Sequence, residues 1–253
     1  MIVTIPEGVL ECLSAGATED KRPSVVLLHG IQGTATIWKP LLPGLSCLGP
    51  VLAPHLRGRA GSYSPDRPDA YGLTGFASDL HTVIAGLHGP VLLVGWSMGC
   101  LVSLEYLRIH GSDRLMGLML VSGTPCIGAT GGNDANWFHG DTPERVAREA
   151  AQRAKRLQLT ETATDVAVAG SWLAVRAADF RDFLPQIDLP TMVLHGSEDS
   201  ECPVAHASIF ARSIPGAQLG IWEGCGHVPM TYAPERFSRA VADFFHICQG
   251  CSA

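Results

Sequence analysis

The chain has 253 residues, of which 46% are hydrophobic and 17% charged, and its formal net charge is -6. This composition excludes a disordered chain, and the length suits one large core better than two separate ones. An acidic balance without a basic stripe excludes nucleic acid as an expected partner. Two strand patterns open the chain, MIVTIP (1–6) and GVLECLS (8–14), with a turn at Pro6-Glu7-Gly8. Apolar, strand-like runs follow in SVVLLHG (24–30), PVLAPHLRG (from 50), PVLLVGWS (90–97), LMGLMLVSG (115–123), PTMVLHG (190–196) and AQLGIWEG (217–224). Near-continuous apolar runs suit strands covered on both faces, as in a parallel sheet. Between them TGFASDLHTVIAGL (74–87), MGCLVSLEYLRIHG (98–111), CPVAHASIFARSIPG (202–216) and APERFSRAVADFFHICQ (233–249) have helical spacing. Strands alternating with helices specify an α/β domain.

One segment breaks the rhythm. Residues 124–187 carry no strand pattern. TPERVAREAAQRAKRLQL (142–159) and the alanine-rich stretch through RAADFRDFL (176–184) read as helix, and GATGGNDANWFHG (128–140) reads as a mobile loop. So long an interruption exceeds an ordinary connection. It is expected to be a helical cap over a core built from 1–123 and 188–253.

No apolar run approaches the roughly 20 residues that span a bilayer, so no membrane is expected as a partner. The opening stretch lacks a basic region ahead of a long apolar one, which implies no signal peptide and a cytoplasmic address. Eight cysteines are scattered along the chain and are expected to be free thiols. The CQGC at 248–251 has no second ligand pair, and no two histidines have the spacing of a zinc helix, so no metal is expected. No G-x-G-x-x-G follows a strand, so no dinucleotide cofactor is expected.

Chemistry concentrates at strand ends. Ser97 lies in Gly95-Trp96-Ser97-Met98-Gly99, between a strand pattern and a helix pattern. In that setting G-x-S-x-G holds a serine on a sharp turn, and the glycines let neighbouring backbone approach. The helix that starts at Met98 aims free N–H groups at charge forming on the serine. A hydroxyl needs a base to become a nucleophile. His227 is the candidate, in a loop with Gly224, Gly226 and Pro229 after the last strand pattern. An acid to orient it is expected on another strand end, where GSEDSE offers Glu198, Asp199 and Glu201. Asp199 is preferred for its placement at the loop tip. The order Ser97, Asp199, His227 is the one this architecture uses. The loop after LLHG places the N–H of Ile31 to hold an oxyanion together with the N–H of Met98. His29 is expected to tie that loop down, and His195 to be packed at a strand end. His139 in the cap is a candidate to line a pocket.

With these residues in place, the chain resembles the α/β-hydrolase superfamily along nearly its whole length. The matching pieces are LLHGIQGTATIW, PHLRGRAGSYSP, VGWSMG, LHGSEDSECP and GCGHVP, in the family's order. Within the superfamily it is similar to small bacterial carboxylesterases of the pimeloyl-carrier-protein methyl ester esterase kind, which share the GWS form of the elbow. The resemblance implies an eight-stranded, mostly parallel sheet flanked by helices, with the cap between strands six and seven. It implies Ser97 as nucleophile, Asp199 as acid and His227 as base, with Ile31 and Met98 as oxyanion donors. Two positions depart from the pattern: His55 and Ala60 stand where aspartate and glycine are usual. Cys100 follows the elbow. It is expected to pack against the sheet, with a reactive thiol at a helix N-terminus as the alternative.

These features point to a serine hydrolase acting on a small, largely apolar ester, thioester or lactone, without a cofactor. Trp96, Trp38, Trp137, Phe138 and Trp172 are candidate pocket walls. Two alternatives use the same fold: hydrolysis of a carbon–carbon bond in a β-diketone-like ring-cleavage product, and a non-catalytic protein that senses a ligand.

Overall fold

Strand-forming residues alternate between two cores in this protein, and that alternation builds its central layer. A computed structural model describes residues 1–17, 19–128, 137–156, 158–159 and 161–251. The strands are β1 (Ile2–Ile5), β2 (Gly8–Ala15), β3 (Ser24–Leu28), β4 (Val51–Pro54), β5 (Val91–Trp96), β6 (Leu115–Val121), β7 (Thr191–Gly196) and β8 (Gln218–Trp222). They form one eight-stranded sheet in the order β1-β2-β4-β3-β5-β6-β7-β8. β1 and β2 pair antiparallel, as do β2 and β4, and every other pairing is parallel. On β3, Val26 and Leu28 face one core while Val25 and Leu27 face the other. Burial on both faces is why these strands are continuously apolar.

Among the described residues there are eight α-helices: α1 (Leu42–Leu45), α2 (Leu73–Ala85), α3 (Met98–His110), α4 (Pro143–Arg156), α5 (Asp165–Ala177), α6 (Ala205–Ser213), α7 (Pro229–Tyr232) and α8 (Pro234–Cys251). α2 and α3 pack on the first face through residues such as Phe76, Leu80, Leu101 and Leu104. α8 covers the second face with Phe237, Val241, Phe244, Phe245 and Cys248, a single helical stripe with no residue more than 1% exposed. Burying each such phenylalanine stabilises the fold by about 1.5–3 kcal/mol. None of the described helices is long and apolar enough to cross a membrane.

Between β6 and β7 the described residues form α4, α5 and a short 3₁₀ turn at Leu184–Gln186. Hydrogen bonds hold this insertion to the loops after β3 and β4. Among them are Gln32 Nε2 to the Ala150 carbonyl, Ala163 N–H to Gln32 O (2.9 Å), Thr164 N–H to Gly58 O (3.0 Å), and Arg59 Nη2 to Ser171 Oγ (3.2 Å). Most of the loop expected at 128–140, residues 129–136, lies outside the described residues.

Two expected helices are shorter than their sequence patterns. RAADFRDFL does not continue α5, which stops at Ala177. Asp179 accepts the N–H and the guanidinium of Arg181, an Asx-type turn that competes with helix. α6 starts at Ala205 rather than Cys202 because the Cys202 N–H donates to Asp199 Oδ1, 2.8 Å away, which ties Cys202 to the preceding loop.

Candidate active site

Parallel pairing brings the carboxyl ends of β3, β5, β7 and β8 to one edge of the sheet, and the chemical groups sit in the loops there. β3 is next to β5, with Leu28 in register with Gly95, so the loop after His29 lies against the turn that carries Ser97. Ser97 is the residue before α3 and has φ +56° and ψ -118°. A side chain held at positive φ without being glycine is strained, and the surrounding backbone enforces that geometry. The glycines show how tight the turn is. A Cβ on Gly95 would strike the Gly99 carbonyl, and one on Gly99 would come 2.6 Å from the Leu28 carbonyl oxygen.

The turn points Ser97 Oγ at His227, whose Nε2 accepts its proton at 3.1 Å. On the far side of the ring Nδ1–H donates to Asp199, 2.8 Å from Oδ2 and 3.0 Å from Oδ1. Asp199 is anchored by its own loop, since Oδ1 also accepts the N–H groups of Glu201 (2.9 Å) and Cys202 (2.8 Å). Burial alone would raise the Asp199 carboxyl. The His227 ring, together with hydrogen bonds from His195 and His227, outweighs it and holds the acid well below the usual carboxylate range. Asp199 is therefore an anion at any working pH, which keeps the proton of His227 on Nδ1 and leaves Nε2 free to accept.

The other two acids in that loop are used differently. Glu198 is exposed, and its N–H donates to Cys225 O at 2.9 Å. Glu201 turns away from His227 to accept Arg153 Nε (2.6 Å) and Arg156 Nη2 (2.7 Å).

Ile31 and Met98 lie beside Ser97 on the same cavity wall. Met98 is the first residue of α3, so its N–H has no helical partner. Neither N–H takes part in a main-chain hydrogen bond among the described residues. The loop bearing Ile31 is pinned from behind. Buried His29 accepts the Leu56 N–H at Nε2 (3.1 Å) and donates from Nδ1 to Gly30 O (2.8 Å). Burial pulls the His29 ring well below its ordinary pKa, so it stays neutral. Arg59 donates to the Ile31 carbonyl. His55, in the usual aspartate position, accepts the Ala35 N–H at Nδ1 (3.2 Å). Ala60, in the usual glycine position, takes φ +48°.

A small cavity lies over Ser97. Its wall includes Trp137, Phe138 and Trp172, as expected for an apolar pocket, and Phe138 meets Trp172 edge-on at 5.3 Å. Two of the expected aromatic walls are elsewhere. Trp38 is fully buried in the other core against Phe237, 5.9 Å between ring centres. Trp96 lies behind His227, where its Nε1–H donates to the His227 carbonyl at 2.8 Å and fixes that loop. His139 does not line this cavity; it lies with Arg176 in an adjoining surface hollow that shares Ile127, Trp137, Phe138 and Trp172 with it.

Cys100 is fully buried, with Sγ 3.1 Å from Gly95 O. Burial pushes its thiol up to about 12, which removes the reactive-thiol alternative. Among the described residues there is no group of three or more metal-ligating side chains.

Two site features escaped the sequence. His195 is packed as expected, but its Nε2 also reaches Asp199 Oδ2 at 3.2 Å while donating to Cys202 O. Arg153 stands on the cavity wall. The signal for Arg153 was present, since it follows Val146 and Ala150 at helical spacing on the buried face of α4.

Comparison with known proteins decides the family. The model of the alpha/beta hydrolase family matches residues 25–240. The chain belongs to that family. Among curated alpha/beta hydrolase relatives, a pimeloyl-[acyl-carrier protein] methyl ester esterase from Aromatoleum aromaticum is 28% identical over 252 residues, covering 88% of this chain and 98% of its own. Among solved structures, an esterase from Thermogutta terrifontis, determined with malate bound, superposes with a TM-score of 0.80 at 26% identity, covering 98% of each chain. A bromoperoxidase from Bacillus anthracis shares the alpha/beta hydrolase fold at TM-score 0.77 and 21% identity, over 97% of this chain and 99% of its own. The fold alone therefore does not select a reaction.

Proposed function

We propose that the chain is a serine hydrolase that cleaves small carboxylic esters, thioesters or lactones through an acyl-enzyme on Ser97. One observation carries this reading: the unbroken hydrogen-bonded line from Ser97 Oγ through His227 to Asp199, opening on a largely apolar cavity. His227 Nε2 takes the Ser97 proton as Oγ bonds to the carbonyl carbon. The carbonyl oxygen becomes an anion and accepts the N–H groups of Ile31 and Met98, each contributing about 3 kcal/mol in the transition state. The tetrahedral centre collapses, and the leaving alkoxide or thiolate takes the proton from His227. Water, deprotonated by the same ring, then attacks the acyl carbon and releases the acid with Ser97 restored.

The names of the esterase relatives support ester chemistry. In this proposal residues 124–187 act as the cap that sets acyl preference, because α4 and α5 supply Arg153, Trp172 and Val175 to the cavity wall. A cytoplasmic site of action belongs to the same proposal and is supported by Cys12, Cys47, Cys100, Cys126, Cys225 and Cys251 being free thiols.

A panel of p-nitrophenyl esters from acetate to decanoate, with thioesters and lactones alongside, tests the reading. Short and medium esters are expected to turn over best, as the small cavity over Ser97 is filled by a short acyl chain. Turnover of a ring-cleavage dienoate with no ester, thioester or lactone hydrolysed would show that the same residues cleave a carbon–carbon bond instead.

A further inference from the structure

We infer that the cavity over Ser97 contains a carboxylate subsite at Arg153, so that the preferred esters are half-esters of short dicarboxylic acids. This rests on the ester-hydrolase reading of the same site and narrows its substrate class.

Arg153 is on α4, and its side chain is only 9% exposed, yet it lines the cavity that holds Ser97 and His227. Its Nε donates to Glu201 Oε2 at 2.6 Å, and its Nη1 to Gln32 Oε1 at 3.3 Å. Its Nη2 has no hydrogen-bond partner among the described residues, and it is not among the atoms sealed from solvent. The Phe138 ring lies under the guanidinium, 5.7 Å from its centre, and holds the fork in place.

Glu201 accepts from both Arg153 and Arg156. Two more donors on the cavity wall, Trp172 Nε1 and Ser122 Oγ, are buried without a partner among the described residues. A buried guanidinium that lines a largely apolar cavity and keeps an unpartnered N–H group is matched by a hydrogen-bond acceptor. A planar carboxylate suits the free edge of an arginine fork. Burial among aromatic rings strengthens that attraction relative to water. Because Ser97 and Arg153 both line this small cavity, an acyl chain of a few carbons is expected to place its ester carbonyl at the serine and its carboxylate at the guanidinium.

The test compares kcat/KM for monomethyl glutarate and monomethyl adipate with methyl valerate and methyl hexanoate, which lack the charge. The wild-type protein is expected to prefer the half-esters by about tenfold or more. Arg153→Met is expected to collapse that ratio towards one, and Arg153→Lys to restore part of it. A wild-type ratio at or below one, or a ratio unchanged by Arg153→Met, would overturn the subsite. Calorimetric binding of glutarate to the wild-type protein, with valerate as the neutral-chain control, needs neither turnover nor a folded variant. Glutarate is expected to bind at least about tenfold more tightly, and equal binding would also overturn the subsite. Turnover of p-nitrophenyl butyrate by the wild-type protein reports on the hydrolase reading separately. If it is absent while glutarate still binds selectively, that reading fails and the carboxylate subsite stands.

Discussion

Replacing Ser97 by alanine is expected to lower kcat for p-nitrophenyl butyrate by about ten-thousandfold or more and to leave the thermal unfolding midpoint close to that of the wild type. The size of the effect follows from what is removed. Ser97 Oγ is the atom within hydrogen-bond reach of His227 on the cavity side of the ring, and without it no acyl-enzyme forms. The remaining N–H donors and cavity still bind the ester, which accounts for a small residual rate. The fold should tolerate the change because the turn is set by backbone contacts at Gly95 and Gly99, and alanine needs no more space than serine. Progress curves with circular dichroism melts check both halves. A variant that keeps more than about a tenth of the wild-type rate would remove Ser97 as the nucleophile.

The second large effect is expected at Asp199. Asp199→Asn keeps nearly the same shape, so Oδ1 can go on accepting the Glu201 and Cys202 N–H groups that shape the loop. The amide nitrogen then replaces Oδ2, the atom that accepts from His227 Nδ1 and faces His195 Nε2. Two donors would oppose each other. The His227 ring escapes by moving its proton to Nε2, and from there it can no longer take the proton of Ser97. The expected loss in kcat is about ten-thousandfold, with KM changed far less, since Asp199 is not on the cavity wall. A loss of less than about tenfold would show that another group orients the base, and Glu198 and Glu201 would be the residues to replace next.

Much of this architecture was legible because it depends on short-range pattern. Strands buried on both faces are apolar throughout, so β3, β5, β6 and β7 stand out from their sequences. Each chemical group also follows a strand and has a glycine within a few residues, which marks a sharp turn in the chain. What stayed hidden depends on which side of an element a residue faces in three dimensions. Trp38 and Trp172 are equally plausible pocket walls as letters, but one packs on α8 and the other on the cavity. Trp96 sits next to Ser97 in the chain, yet the sharp turn sends the two side chains apart, and the indole supports the His227 loop instead. His195 and Asp199 are close in sequence, but only the fold of the loop brings the ring to the carboxylate. Arg153 shows the limit most clearly. Its place on the stripe of Val146 and Ala150 was readable, while its partners Glu201 and Gln32 come from strand-end loops 48 and 121 residues away.

The central claim is that Ser97 is the one activated nucleophile of this protein. Intact-mass measurement after exposure to a fluorophosphonate probe, followed by peptide mapping, tests it most directly. A single adduct on the peptide containing Gly95-Trp96-Ser97-Met98-Gly99, absent from the Ser97→Ala variant, is the result the geometry predicts. An adduct at another residue, or none on a protein shown to be folded, would contradict it.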